Sequence, residues 1–530
     1  MCPKTARHGI RTPYHGPIMS ALAAIPTHTP PMDDGAAYLA LQTHDARFDG
    51  RLFVGVTSTG IYCRPVCRVR LPRRENCRFF PAAAQAEADG FRPCLRCRPE
   101  LAPGLALVDS SGSLARSAAL LLERLLESSE EIALPAVAER LGVTERHLRR
   151  IFQAEHGVSP IQWITTRRLL LAKRLLTDTP LPMAQVAETA GFGSVRRFNT
   201  LFQERYRLTP SSLRRQLPGQ DAQGADGVRL LLGWRPPYDA EAMLDFLGGR
   251  PLLGVEALHQ GTWWRTLSLP GRHGPCQGWL GLRFDDHREG VELTVSSGLV
   301  PVLPQVMRRV SHLLDLDAQP QDISAALGDM AQARPGLRVP GCMDGFETTV
   351  RIILGQQVTV AAGCTLAARL VARLGEPCPT PVPGLTHLFP SPLAVKNATV
   401  DTLGQLGIIR SRIDALQALA AAVLESRLDL SPGACVDETL ATLRGLPGVG
   451  DWTCQLVALR VLAWPDAFPA SDAGVLRALG TRVPRQAQAM AESWRPWRAY
   501  AVLQLWQGLA SSGPPTASTG HPDHEPLTAP

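Results

Sequence analysis

Four cysteines constrain this chain more than any other short pattern in it. Cys63 and Cys67 open a C-x3-C-x26-C-x2-C arrangement that Cys94 and Cys97 close. Two close-spaced pairs, each on a tight turn, can bring four thiolates to one point, the tetrahedral sulfur set that suits one Zn2+. Any fold of this segment must be built around that point. Disulfides are the competing use. Nothing in the first 30 residues has the long apolar stretch of a secretion signal, so the thiols are expected to stay reduced in a cytoplasmic chain. Cys77 lies between the pairs without a close partner and reads as a packed thiol.

The flanks of the quartet ask for more than a structural metal. Arg64, Arg68, Arg70, Arg73, Arg74, Arg78, Arg92, Arg96 and Arg98 crowd around the four ligands. Four thiolates on one Zn2+ carry a net charge of about −2 and stay nucleophilic, and the arginines would hold such a centre against a phosphate backbone. The charge of the whole chain points the same way. Residues 1–218 carry 30 Lys+Arg against 19 Asp+Glu, and residues 219–530 carry 25 against 29. A basic front half suits a polyanion. With 530 residues the chain exceeds one core and should divide into several domains. It contains no run of 18 apolar residues, so no membrane span or membrane partner is expected. The residues before Met19 or Met32 read as unstructured, and either methionine could be the start.

Two copies of one pattern follow. In "LPAVAERLGVTERHLRRIF" (134–152), Val137, Ala138 and Leu141 share a helical face. Gly142 marks a turn, Thr144 can cap the next helix, and Leu148, Ile151 and Phe152 continue the apolar stripe. In "MAQVAETAGFGSVRRFNTLF" (183–202), Val186, Ala187 and Ala190, then Gly191, then Phe198, Leu201 and Phe202 repeat it with one extra turn residue. One helix-turn-helix pattern is common among helical hairpins; two at this spacing are far more specific.

"PGQDAQGADG" (218–227) has no apolar period and reads as a flexible linker. Alternating stretches such as "GWLGLRF" and "VELTVSSG" then predict strands, and from about 305 onward the pattern is helical. Within that part, "LPGVG" (446–450) is a glycine-bearing turn between two helical runs. Gly448 and Gly450 there can offer backbone N–H groups to a DNA phosphate, with a monovalent cation at the turn. This is a helix-hairpin-helix signature. Asp472 follows in "FPASDAGVLRALG", near the start of the next helix.

Three resemblances join these features. Residues 31–102, through "TGIYCRPVC", "REN" and "GFRPCLRCRPE", resemble the amino-terminal domain of the Ada family. The resemblance implies that Cys63 accepts a methyl group from a DNA methylphosphotriester, and that the loss of negative charge raises affinity for DNA. Residues 113–216, closing in "YRLTPSSLRR", resemble the AraC-type DNA-binding domain. Its second helices would present Glu145, Arg146 and Arg149, then Ser194, Arg196, Arg197 and Asn199, to the major groove. Residues 228–510 resemble the AlkA-type 3-methyladenine DNA glycosylases, through "WRPPYDAEAMLDFL", "ARPGLRVPGCMDGFE", "VRIILGQQVTV", "LPGVGDWT" and "ESWRPWRAYAVLQLW".

The glycosylase resemblance implies Asp472 as the catalytic carboxylate and Trp452 and Trp506 as the pocket for a flipped, cationic alkylated base. The chain departs from the best-known member at three positions: Gln357 stands for the leucine wedge, Ser471 for a second aspartate and Leu456 for a pocket tyrosine. Trp452 occupies the slot where bifunctional relatives place a Schiff-base lysine, and the chain has only Lys4, Lys173 and Lys396, so a monofunctional glycosylase is expected. No cysteine quartet follows the hairpin, so no iron–sulfur cluster is expected. The Pro-Cys-His-Arg site of O6-methylguanine transfer does not occur.

The expected fold is multidomain and mainly α. A small α/β zinc domain (31–102) precedes an all-α double helix-turn-helix domain (113–216) and a linker (217–227). An α+β subdomain (228–304), an all-α helix-hairpin-helix domain (305–510) and a disordered tail (511–530) follow. Expected partners are double-stranded DNA and RNA polymerase. The competing function is a pure methylation-sensing regulator whose carboxyl half binds DNA without catalysis.

Overall fold

A computed structural model describes residues 34–215 and 227–511, apart from 46–47, 50–51, 68, 82, 98, 100–113, 116, 120, 124, 127–132 and 432–433. The expected start sites, Arg68, Arg98, nearly all of the linker and nearly all of the tail lie outside the described residues. The chain divides into two compact units, residues 1–117 with 150–156, and residues 118–149 with 157–530.

The first unit contains a four-stranded sheet, in the order β3-β1-β2-β4. Its elements are α1 (Asp34–Gln42), β1 (Phe53–Val56), β2 (Ile61–Cys63), β3 (Cys77–Phe80), α2 (Ala83–Ala88) and β4 (Arg92–Pro93). Period-two alternation sorts the core. Val54 packs with Ala37, Ala40, Leu41, Leu52 and Cys77, while its neighbour Phe53 packs with Tyr62, Ala86 and Phe91 in a second cluster. Cys77 is thus the buried thiol that its isolation suggested.

The helices α3 (Leu134–Arg140), α4 (Glu145–His156, of which residues 150–156 belong to the first unit), α5 (Pro160–Asp178), α6 (Met183–Thr189), α7 (Val195–Tyr206) and α8 (Pro210–Arg215) make the two helix-turn-helix hairpins and the long helix between them. Both turns need glycine: Gly142 has φ +65° and Gly191 φ +80°. Thr144 caps α4 by accepting from His147 N at 3.3 Å, and Ser194 caps α7 by accepting from Arg197 N at 3.2 Å. Ser159 and Gln162 form a capping box on α5.

A five-stranded antiparallel sheet follows, in the order β5-β9-β8-β7-β6, built from β5 (Gly227–Gly233), β6 (Glu256–His259), β7 (Thr262–Gly271), β8 (Gly274–Asp285) and β9 (Gly290–Ser296). α9 (Ala240–Gly248) sits between β5 and β6 in sequence. The helices α10 (Leu303–Leu313), α11 (Pro320–Leu327), α12 (Asp329–Ala333), α13 (Gly345–Leu354), α14 (Val360–Leu374), α15 (Pro392–Asn397) and α16 (Val400–Gln405) come next. The last six are α17 (Arg410–Leu424), α18 (Val436–Arg444), α19 (Asp451–Arg460), α20 (Ala473–Ala478), α21 (Pro484–Met490) and α22 (Arg498–Ser511).

The core of the sheet takes in residues beyond 304. α10 buries Leu303, Val306, Val310 and Leu313 in the core of the sheet, and Met343 joins the same cluster. Helical periodicity reveals that such a segment is a helix, not which core its stripe enters. The second core, around α13, α17 and α19, begins in earnest with Phe346 and Val350. A buried ionic cluster ties the two. Arg265 on β7 donates to Glu347 on α13 at 2.7 Å, and Arg351 on α13 meets Glu256 on β6 at 3.1 Å. No helix among the described residues is long and apolar enough to cross a membrane.

Candidate functional site

In the first unit, sheet pairing assembles the cysteine quartet. β2 and β4 run parallel, with Ile61 opposite Arg92 and Tyr62 opposite Pro93, so Cys63 and Cys94 leave the sheet side by side. Cys94 N donates to Tyr62 O at 3.0 Å and locks that register. The turns after each strand return Cys67 and Cys97 to the same place. One sulfur from each cysteine lies within 4.8 Å of the other three. Hydrogen bonding with Cys67 and Cys97 pushes the Cys63 thiol up, while hydrogen bonding from Cys63 pulls Cys67 down. Thiols that share protons so closely are the ones a dication displaces protons from. Four buried, converging sulfurs without a carboxylate or histidine fit Zn2+. Cys67 and Cys97 are sealed at 1% and 0% exposure, while Cys63 and Cys94 keep 6% and 7%. Cys97 Sγ also accepts from Arg64 N at 3.5 Å.

The arginine crowd separates into roles that spacing does not distinguish. Arg64 is wholly buried and paired with Asp49, its Nε 2.7 Å from Oδ1, and its Nη1 donates to Cys97 O. It braces the metal site from inside and is not available to a phosphate, which corrects the expectation for this residue. Arg74 lies over the Phe79 ring and pairs with Asp34, and Arg78 pairs with Asp89. Arg70, Arg92 and Arg96 are exposed.

On the recognition helices Arg146, Arg149, Arg196, Arg197 and Asn199 are all exposed. Arg149 is already paired with Glu145 one turn earlier, Nε to Oε1 at 2.9 Å. Contact with DNA would have to break or share that pair. Ser194 uses its hydroxyl on the cap of α7.

In the second unit a cavity of about 1140 Å3 opens beside α20, with Gln357, Gly448, Trp452, Asp472, Arg250 and Arg351 in its wall. Asp472 caps α20, its Oδ1 accepting from Val475 N at 3.0 Å. The same carboxylate accepts from both tryptophans: Trp452 Nε1 meets Oδ2 at 3.0 Å and Trp506 Nε1 meets Oδ1 at 2.9 Å. A carboxylate offers roughly four lone-pair directions. Three are taken, which leaves one for a substrate atom or water. Trp452 lines the cavity, whereas Trp506 is not among the lining residues. Of the two tryptophans expected at the base pocket, one indole thus lies in the wall, and both place an N–H on the carboxylate. Gly474 makes this possible, because a Cβ there would stand 3.0 Å from Trp506 Cδ1 and 3.1 Å from Asp472 Oδ1. Sequence reading missed Gly474; its place in the first turn of a helix, where glycine is unfavourable, is the signal that could have found it.

Only one hairpin glycine needs to be glycine for its backbone. Gly448 has φ +70°, while Gly450 has φ −96° with nothing within 4 Å of where a Cβ would project. Gly450 is thus an open approach and not a strained turn. Gln356 Nε2 donates to Gly448 O and Thr453 Oγ1, both at 3.0 Å, and Arg412 donates to Gln356 O. These bonds tie the turn after α13 to the hairpin, and Gly448 O, an oxygen that a cation at the hairpin could use, already has a donor. Gln357, exposed and with φ +52°, projects from that clamped turn at the cavity mouth. Ser471 is exposed and also lines the cavity, and Leu456 is half-buried on α19.

Four family models match successive parts of the chain. They are the metal-binding domain of Ada over residues 36–100, a helix-turn-helix domain over 137–216, the AlkA N-terminal domain over 229–344 and the HhH-GPD superfamily of base-excision DNA repair proteins over 350–498. The probable bifunctional transcriptional activator/DNA repair enzyme AlkA of Mycobacterium tuberculosis is 37% identical over 493 residues, covering 89% of this chain and 96% of that one. DNA-3-methyladenine glycosylase 2 of Escherichia coli is 37% identical over 275 residues, 52% of this chain and 95% of that one. The Ada activator/repair enzyme of Escherichia coli is 36% identical over 132 residues, 25% of this chain and 35% of that one. The chain accordingly belongs to the family of bifunctional transcriptional activator/DNA repair enzymes of the AlkA type, with an Ada-type zinc centre and a helix-turn-helix DNA-binding domain ahead of a helix-hairpin-helix glycosylase.

Proposed function

We propose that the protein excises alkylated purines of the 3-methyladenine type from DNA with Asp472 as its catalytic carboxylate, and that it senses DNA methylation through Cys63. The observation that carries the first part is the carboxylate held by three donors in the wall of a cavity large enough for a flipped base. A 3-alkylated purine is cationic and already leaves readily, so the enzyme must mainly stabilise the oxocarbenium-like sugar. A fixed carboxylate does this without reorganising. Its single free lone-pair direction faces the sugar or positions the attacking water, and the Trp452 face attracts the cationic base. Gln357 enters the gap left in the stack, and the backbone around Gly448 and Gly450 holds a phosphate. With no lysine among the described residues that line the pocket, the reaction ends at the abasic site.

At the other end, Cys63 Sγ attacks the methyl carbon of a methylphosphotriester. The methyl C–O bond breaks, and the phosphodiester leaves as its anion. Zn2+ held by Cys63, Cys67, Cys94 and Cys97 would keep the sulfurs ionised and nucleophilic at neutral pH. Thioether formation removes one negative charge from the centre, repulsion from neighbouring phosphates falls, and the helix-turn-helix units hold a promoter more tightly and bring in RNA polymerase. The protein acts in the cytoplasm.

Release of free 3-methyladenine from methylated duplex DNA tests the enzyme reading. The wild type should release it, and Asp472→Asn should lose at least about a hundredfold in rate, on the scale of a lost charge-stabilising group. Retained DNA binding with no release by the wild type would leave only the regulator.

A further inference from the structure

We infer that the second helix-turn-helix unit is docked on the sheet of the glycosylase half, so that α7 and the base pocket belong to one rigid body even though the chain between them could act as a tether. Three independent contacts carry this. First, β5 is an edge strand, and an exposed edge is a liability that proteins cover. α5 covers it: the Arg174 guanidinium donates to Leu231 O on β5 and pairs with Asp178 at 3.5 Å. Second, α6 packs on the 3-10 turn Ser297–Val302 that follows β9. The hydroxyl of Thr189, buried at 6% exposure, donates to Val300 O at 3.4 Å. Third, the apolar cores are continuous. Val186, Ala187, Ala190, Phe198 and Phe202 of the DNA reader share one buried cluster with Val228, Leu230, Leu299 and Val300 of the sheet.

The docking spends the inner faces of α5 and α6 and leaves the outer face of α7 open, with Arg196, Arg197 and Asn199 exposed. The glycosylase half is therefore the structural partner of the second DNA-reading helix. DNA held by α7 lies at a fixed distance from the pocket. This holds whether or not Asp472 is catalytic, since none of the contacts touches the pocket.

A specific protease site placed between residues 216 and 226 of the full-length chain tests it. After cleavage the two fragments should co-elute as a one-to-one complex, and should still do so at about 1 M salt, because an apolar contact is not screened. Val300→Asp in the same chain should split the complex into two peaks while base excision is unchanged, which shows that the carboxyl fragment is still folded. Separation of the cleaved wild-type fragments with excision intact would overturn the inference. If the fragments aggregate, amide exchange in the uncut chain decides. Val300→Asp should speed exchange across residues 183–189 by about tenfold or more, and unchanged exchange there would also overturn it.

Discussion

The side chain of Asp472 serves two demands that one oxygen pair can meet together. Oδ1 closes the first turn of α20 through Val475 N, and the indole N–H groups of Trp452 and Trp506 fix both oxygens. Trp506→Phe keeps an aromatic side chain, smaller than the indole, and removes one donor. We expect it to lower the excision rate by about tenfold to a hundredfold, the scale of a lost hydrogen bond to a charged group, with KM little changed because Trp506 does not line the cavity. Gly474→Ala should act in the same direction by pushing the indole away from Oδ1; single-turnover excision rates for the two variants check both. The aspartate was legible in "FPASDAGVLRALG", as cap and as candidate carboxylate. The donors were not, because they lie 20 and 34 residues away and nothing local marks which edge of an indole faces inward.

Among elements, the seam between α10 and α22 carries a titratable group. Asp315, just after α10, accepts from Tyr500 Oη on α22 at 2.8 Å and from Val339 N at 3.3 Å. Burial raises its carboxyl to about 6, with the Tyr500 hydroxyl and Arg338 pulling the other way. A raised folded value means that the folded state holds the proton more tightly than the unfolded chain. The resulting stability is full below the ordinary value of 3.8 and is lost as pH rises through about 6. Asp315→Asn should flatten this dependence. Between pH 4 and pH 7 the wild type should lose up to about 3 kcal/mol relative to the variant, read as diverging thermal midpoints across that range. Periodicity gave the helices on both sides of this seam but not their junction, since α10 carries its stripe into the core of the sheet.

For the whole molecule, the apolar clusters described around the first unit's sheet are small, and a metal held by the four buried cysteines is the kind of staple that such a core uses. Structural zinc contributes on the order of 10–16 kcal/mol to the folding of small metal domains. Stripping one zinc with a strong chelator should therefore expose residues 34–97 to proteolysis, while release of 3-methyladenine by the second unit continues at its former rate. Metal analysis should give one zinc per chain in the wild type and none in Cys94→Ser.

The sequence by itself determined what depends on spacing along the chain: the sulfur quartet, the paired helix-turn-helix stripes with their glycine turns, the hairpin and the carboxylate after it. These are local because ligand geometry, helical period and left-handed backbone act over a few residues. Tertiary structure alone decided which of the arginines is buried, that one indole in the pocket wall and one outside it both grip Asp472, and that a DNA-reading helix pair rests on the glycosylase sheet. Those outcomes depend on which apolar faces and polar edges meet across the fold, and a buried face has the same sequence pattern whatever surface it is buried against.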